Sequence, residues 1–474
     1  MEDLRDYFNI SLQELELSLL EVLRKSLGIA LESCLKTIDN AILLRRDSKR
    51  FKVKEFVETT IETILGQQIT INRRYYFDTK TGKYVFLLDK VLGLPEETQV
   101  SPALAECLLH QAALTPSYRA AADSIEQIMG KRVVSHETVR QVVKSAGKAM
   151  EEALKIEIQE ANGKHRVRLV FIETDALHVP LQNDKKRSVP EYIATIHEGW
   201  KPRTPGSKDY ALKKVVQIRA RNASQLWEKV RDFIYSYYDV DENTMIIING
   251  DRASWIRKGT EYLPNALYQV DRYHVKRDLR RIFADSKVLP KVEEALDSDD
   301  VTGATFLAEL AQAKLKLTDP DKAEDCQRLL NDLSQIADAT VDYRKRLEAR
   351  GISVDGLRGL GAGESQMSCF ARRVKGKRSW SREGLGAMME LLCWRNTGRL
   401  QKVTDNVIKF MRKIDFSLGS LKEIAEKAVR KVVRKNVYVP RAAGTPIAHV
   451  GRTSSGGMSN LMHRLNEGGM LSSC

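Results

Sequence analysis

The chain has 474 residues and 42% hydrophobic content, enough for two to four globular domains, and no stretch reaches the apolar length a membrane span needs. Lys and Arg number 77 against 63 acidic residues, a net charge of +14, and the excess gathers in VKRDLRR, ARRVKGKRSWSR and EKAVRKVVRKNVYVPR. Six cysteines, at 34, 107, 326, 369, 393 and 474, form no CxxC pair, which argues for reduced structural thiols and against a metal-thiolate site. Clustered basic residues are the footprint of a nucleic-acid binder, although charge runs also occur as ordinary solvated helix faces.

The amino-terminal MEDLRDYFNISLQELELSLLEVL is acidic and amphipathic, unlike a secretory signal, so a cytoplasmic, nucleoid-associated protein is expected. Leu and Ile recur every three or four positions to about residue 68, which predicts helix. RRYYFDTKTGKYVFLLD then predicts a hairpin turning between Asp78 and Lys83, completing an N-terminal region over 1–95. Over 96–160, SPALAECLLHQAALT carries a Ser cap and a Pro at the first helical position, and SYRAAADSIEQIMG ends on a helix-stopping Gly. KRVVSHETVRQVVKSAGK starts a new helix at Ser135. Two short helices joined by a turn resemble a helix-turn-helix, with Ser135, His136, Thr138, Arg140 and Gln141 placed to reach base edges. A plain helix pair has the same pattern; the basic balance favours DNA.

From residue 165 the periodicity changes to strands. VRLVFIETD, VPEYIATIHEGW, KKVVQIRA, TMIIING and ALYQV alternate with the helices ASQLWEKVRDFIYSYY and ASWIRKGTEYL, which describes the first part of an α/β core over 165–281. Residues 282–358 are helical in pattern, an all-helical insertion. After the Gly-rich GLRGLGAG the chain returns to the core with basic helices over 359–440, and the Gly/Ser-rich tail 441–474 is expected to be loosely ordered.

Asp175 ends the first apolar strand and Asp251 follows TMIIING. If both strands are central and parallel, their carboxyl ends share the edge where open α/β sheets place their chemistry. Glu364 opens a helix after the Gly-rich hinge, with Arg372 on its own face and Met367, Phe370, Ala371 and Val374 free to pack on the sheet. One Asp in such a place is often a helix cap. Three acids arriving together repel one another unless cations intervene, and hard oxygen ligands suit Mg2+ or Mn2+. Two ions about 4 Å apart support in-line attack on phosphate. Glu293, Glu294 and Glu383 are rival glutamates that the sequence leaves open, and Trp255 and Trp380 read as core fillers.

RRYYFDTKTGKYVFLLD, SYRAAADSIEQIMGKRVVSHETVRQVV, FIETDALHVP, INGDRASWI, VDRYHVKRDL and GESQMSCFARRVKGKRSWSREG span about residues 73–400. Together they resemble the DDE transposases of the bacterial insertion-sequence group called the ISLre family, allied to the Mutator-like transposases. The resemblance implies an α/β catalytic core of RNase H-like type, a mixed sheet flanked by helices, with Asp175, Asp251 and Glu364 as catalytic residues holding two Mg2+ (or Mn2+) ions. It also implies a Cys or Asp separated by two residues from a His, here Asp271 and His274, and a helical insertion ahead of the glutamate. The activity implied is strand cleavage and strand transfer at the ends of a mobile element in double-stranded DNA, by a homodimer or higher assembly. The helix-turn-helix would hold the terminal repeats, and Lys276, Arg277, Arg280, Arg373, Lys375, Lys377 and Arg378 the phosphates, with Arg372 near the site. Two other readings stay open: a non-catalytic sequence-specific DNA-binding protein, and a structure-selective RNase H-like nuclease.

Overall fold

A computed structural model describes residues 11–94, 100–284 and 286–401. The tail 441–474 and the basic stretch EKAVRKVVRKNVYVPR lie outside the described residues. Ser11 starts the helix α1 (Leu12–Arg45) with a capping box, accepting the Glu14 amide while the Glu14 carboxylate takes the Ser11 amide. An antiparallel sheet follows, β1 (Phe51–Glu62), β2 (Gln68–Asp78) and β3 (Lys83–Phe86), in that spatial order. The β2–β3 turn is the hairpin expected at Asp78–Lys83. Strand β1 corrects the expectation of helix up to residue 68. FKVKEFVETTIE is rich in β-branched residues but leaves most of its side chains in water, so its apolar alternation is too sparse to stand out. Ile61, Ile69, Ile71 and Tyr76 pack with Ile38 and Ile42 of α1 as a separate small core. The short helix α2 (Leu87–Leu92) closes this region.

Ser101, Ser117 and Ser135 each accept an amide as N-caps of α3 (Pro102–Leu114), α4 (Tyr118–Met129) and α5 (His136–Glu160). Helices α4 and α5 make the expected pair, but α5 is not short. Its 25 residues carry it from the pair into the main core.

That core is a mixed sheet flanked by helices. In chain order it contains β4 (Leu169–Pro180), β5 (Ser188–His197), the small hairpin β6 (Trp200–Pro202) and β7 (Tyr210–Leu212), and β8 (Val216–Ala220). Next come α6 (Ala223–Tyr237), β9 (Met245–Gly250), the short α7 (Ser254–Arg257) and α8 (Gly259–Tyr262), and β10 (Ala266–Val270). The five-stranded sheet has the order β10-β9-β4-β5-β8. Strands β10, β9 and β4 are mutually parallel, and β5 is antiparallel to both neighbours. Val170, Ile172, Ile246 and Ile248 pack on one face with Val230, Phe233 and Ile234 of α6. Leu169, Phe171, Ile247 and Leu267 pack on the other with Tyr343 and Leu347. Cover on both faces is why these strands read as unbroken apolar runs.

After β10 come α9 (Arg272–Ile282), α10 (Leu289–Leu296), α11 (Ala304–Lys314), α12 (Pro320–Ser334), α13 (Ala337–Thr340) and α14 (Tyr343–Glu348), with no strand among the described residues. Helix α15 (Ala362–Val374) returns to β4, burying Met367, Phe370 and Val374. The last described helix, α16 (Arg382–Asn396), is buried from Gly384 to Trp394 and packs along α5. A Cβ on Gly147 would lie 2.6 Å from the Ala387 Cα, so this crossing requires glycine.

Candidate active site

Strand β4 does not end at Asp175. It continues to Pro180, and what stops is its pairing with β9. The two strands pair from Leu169 with Met245 to Glu173 with Asn249; beyond that β4 pairs with β5 alone. Asp175 therefore stands just past the last parallel pair, and Asp251 just past the end of β9. One cleft is lined by Glu173, Thr174, Asp175, Asn249, Gly250, Asp251, Asp271, His274 and Gly363.

Each acid is held by local backbone geometry. The Asp251 Oδ1 accepts the Ala253 amide at 2.9 Å, which bends the chain out of β9 toward α7. Its carbonyl accepts the Tyr268 hydroxyl at 2.5 Å. Burial, reinforced by the Asp251 charge, pushes that hydroxyl well above its usual range and keeps it a donor. Gly250 permits the turn, since a Cβ there would lie 2.6 Å from Ile256 and 2.7 Å from the Thr174 carbonyl. The Asp175 Oδ1 accepts the Ala176 amide at 2.7 Å. Asp271 caps α9 through the Tyr273 amide at 2.9 Å, while its Oδ2 lies 2.8 Å from the His274 Nδ1. The Asp271 amide donates to the Gly250 carbonyl at 2.7 Å, which draws the β10–α9 turn to the end of β9.

Sequence reasoning missed Glu173. It sits two residues before Asp175, is 2% exposed, and its Oε2 accepts the amides of Gly361 at 3.1 Å and Gly363 at 2.9 Å. The Asn249 Nδ2 lies 3.4 Å from the same oxygen, and the buried His197 Nε2 lies 3.3 Å from Oε1. A carboxylate at a helix N-terminus satisfies free amides and faces the positive end of the dipole. Glu173 thus pins the start of α15 to the central strand. The available signal was one charged residue inside the apolar run LVFIE.

Glu364 follows Gly363 in the first turn of α15; its side chain lies outside the described residues. Among the described residues no group of three or more His, Cys, Asp or Glu is arranged to hold a metal ion. The rival glutamates do not line the cleft. Glu293, on α10 with Glu294, pairs with Arg280, and Glu383 pairs with Lys144 and Lys148.

The residues expected on DNA divide by location. Ser135 and Thr138 are joined through the α5 cap, and Arg140 and Gln141 both donate to Glu137. Burial does not oppose this pairing: Ser135, His136 and Gln141 are exposed at the start of α5. On α9, Lys276 pairs with Asp297 and Arg280 with Glu293, while Arg277 is exposed. Arg372, Lys375 and Lys377 are exposed at or beyond the end of α15, away from the cleft lining. Arg378 donates to the Arg372, Arg373 and Lys375 carbonyls and caps that helix. Arg373 is a correction. It is 4% exposed, donates to the Ala112 carbonyl at 2.7 Å and lies against both the Tyr118 and Trp380 rings. Burial pushes its pKa down to about 10, and its role is to tie α15 to α3. Trp380 fills core as expected. Cys34, Cys107, Cys326, Cys369 and Cys393 form no disulfide among the described residues.

A family model described as "Uncharacterised protein family (UPF0236)" matches residues 5–408. A UPF0236 protein of Caldanaerobacter subterraneus subsp. tengcongensis, whose name joins eleven locus designations, is 28% identical over 416 residues, covering 86% of this chain and 81% of the relative. A second from that organism is 27% identical over 417 residues, covering 86% and 82%. A third, whose name joins four locus designations, is 26% identical over 417 residues, covering 86% and 81%. A solved structure titled "Drosophila P element transposase strand transfer complex" aligns with a TM-score of 0.25 and 11% identity, over 73% of this chain and 95% of that one. No helix among the described residues is long and apolar enough to cross a membrane.

Proposed function

We propose, from the premise that this chain belongs to the uncharacterised protein family UPF0236, that it is a DNA transposase of the DDE type with an RNase H-like core. The observation that carries this reading is the meeting of Asp175 and Asp251 just past the last parallel pair of β4 and β9, in a cleft that the first turn of α15 closes. The order β10-β9-β4-β5-β8, with β5 antiparallel, is in keeping with an RNase H-like sheet. The eleven locus designations gathered under one relative's name suit a sequence that multiplies within a genome. The net charge of +14 suits a polyanionic partner.

The cleft's donors are carboxylate oxygens, which fit a hard divalent cation better than a soft one. Asp175, Asp251 and Glu364 would hold Mg2+ or Mn2+, in one or two ions, and such a metal supplies Lewis-acid stabilisation of a phosphate and acidifies water. The chain's own residues do the positioning. The Ala253 and Ala176 amides orient the two aspartates, and Glu173 fixes the turn that carries Glu364. Asp271 orients the His274 ring at the edge of the cleft, where an imidazole suits contact with a phosphate. The start of α5 would read the element's ends, with the Arg140 and Gln141 bonds to Glu137 exchanged for base edges. Joining two ends in one event calls for a homodimer or larger assembly on the DNA, and the protein would work in the cytoplasm on the nucleoid.

The test is Asp251→Asn. Asparagine keeps an oxygen for the Ala253 amide, so the fold and DNA binding should persist. Mg2+-dependent cleavage of labelled DNA from the flanks of the coding region should fall by roughly three or more orders of magnitude. An Asp251→Asn protein that cuts at the wild-type rate would reduce this aspartate to a turn residue and end the proposal.

A further inference from the structure

A broad groove adjoins the carboxylate cleft without being part of it. Its volume is about 900 Å3, and it runs between the β6–β7 hairpin, the loop before α15, and the turn after α16. Gly363 lines the cleft, and Ser365 and Gln366, next along α15, line the groove.

The groove's chemistry is distinctive. Lys201, Arg203 and Lys208 are exposed on the hairpin, and Arg358 is exposed on the facing loop. None of the four makes an ion pair among the described residues, unlike the α9 cations held by Asp297 and Glu293. The Arg358 guanidinium lies 3.8 Å from the centre of the half-exposed Tyr210 ring, which joins the two walls. Against these cations the groove sets Asp209 and also Glu157, which Arg399 neutralises. Cations with aromatic rings between them are what a nucleic-acid strand needs: charge for its phosphates and flat faces for its bases. A volume near the upper end for small-molecule sites is enough for a few nucleotides of one strand.

We propose that this groove holds an unpaired DNA strand that enters or leaves the carboxylate cleft. In naming DNA as the strand, the inference rests on the function proposed above. Cutting at the cleft frees a strand end that can part from its complement, and the groove gives such a strand a place to lie beside Ser365 and Gln366.

The experiment uses the full chain in EDTA, so that no cleavage occurs. Anisotropy of a labelled single strand of about 12 nucleotides is titrated against salt for the wild type and for Lys201→Ala/Arg203→Ala/Lys208→Ala. Three lost phosphate contacts should lower the slope of log affinity against log salt by about 2, and weaken binding at least about tenfold at 0.1 M salt. A duplex of the same sequence should lose much less. Unchanged single-strand affinity and slope in the variant would overturn the proposal, as would an equal loss on the duplex. Displacement of the strand by micromolar ATP would also overturn it, marking a mononucleotide pocket. Lys208→Glu, a reversal at an exposed position, repeats the test in a second background. Because binding is read without metal, the two ideas fail separately. A wild type that grips the strand through these residues yet never cuts keeps the groove and loses the transposase; one that cuts while the variant binds normally does the reverse.

Discussion

Replacing Glu173 by alanine should loosen the first turn of α15 while leaving the sheet intact. The carboxylate takes two backbone amides, from Gly361 at 3.1 Å and Gly363 at 2.9 Å, in a place shut off from water. Hydrogen bonds to a charged acceptor contribute about 1.5–3 kcal/mol each. Their joint loss should therefore cost roughly 3–6 kcal/mol of local stability, with the lower figure applying if water reaches the amides. Glu173→Gln keeps an acceptor oxygen and gives up chiefly the charge at the helix end, about 0.3–2 kcal/mol. Hydrogen–deuterium exchange over residues 358–366 reads this directly. At about 1.4 kcal/mol per tenfold, exchange at Gly361 and Gly363 should quicken by roughly two to four orders of magnitude in the alanine variant, and by about thirtyfold or less in the glutamine variant. The cleavage proposed above should fall in the same order, through the helix start that Glu173 holds. Unchanged exchange at these amides in Glu173→Ala would refute the claim that the buried carboxylate anchors the helix.

Two further outcomes follow from buried groups. Glu390 lies with Glu191 around Arg219, and burial lifts its carboxyl to about 7 against the lowering effect of Arg219. The folded state thus keeps a proton that the unfolded chain releases above its ordinary 4.5, so stability should decline as pH climbs from about 4.5 through 7, by about 3 kcal/mol at most. Glu390→Gln should match the wild type near pH 5, exceed it at pH 8, and flatten the profile; urea midpoints at the two pH values measure this, and an unaltered slope would contradict it. Gly250→Ala should cost about 1–3 kcal/mol, because the new methyl meets the fixed Thr174 carbonyl as well as Ile256. A thermal melt should show a drop of several degrees, and a melt identical to the wild type would mean that β9 and β4 have room to part.

Local chemistry was legible where it had a period or a cap. Ser101 before Pro102, Ser135 before α5, and the Asp78–Lys83 turn all mark boundaries in the structure. The runs LVFIE and MIIIN became adjacent parallel strands because both faces of the sheet are covered. Strand β1 was hidden because an edge strand with its side chains in water lacks a contrasting apolar face. Glu173 and Arg373 were misjudged for a shared reason. Charge type says nothing about burial when the compensating partners, two glycine amides in one case and the Ala112 carbonyl with two rings in the other, come from distant parts of the chain. Likewise the basic look of α9 is largely cancelled by Asp297 and Glu293 on neighbouring segments.

The long separation between the halves of the cleft has a consequence in time. Glu173 meets the amides of Gly361 and Gly363 across sequence gaps of 188 and 190 residues, with helices α10 to α14 in between. A ribosome adding about 5–20 residues per second delivers α15 roughly 10–40 seconds after β4. During that interval the nascent chain already displays α4 and α5, and both aspartates, without the helix that closes the cleft. On the function proposed above, a translation product that stops among α10–α14 would carry the helices proposed to face DNA and compete for the same sites, yet lack Glu364. Interrupted synthesis would thereby turn the proposed cutter into an occupant.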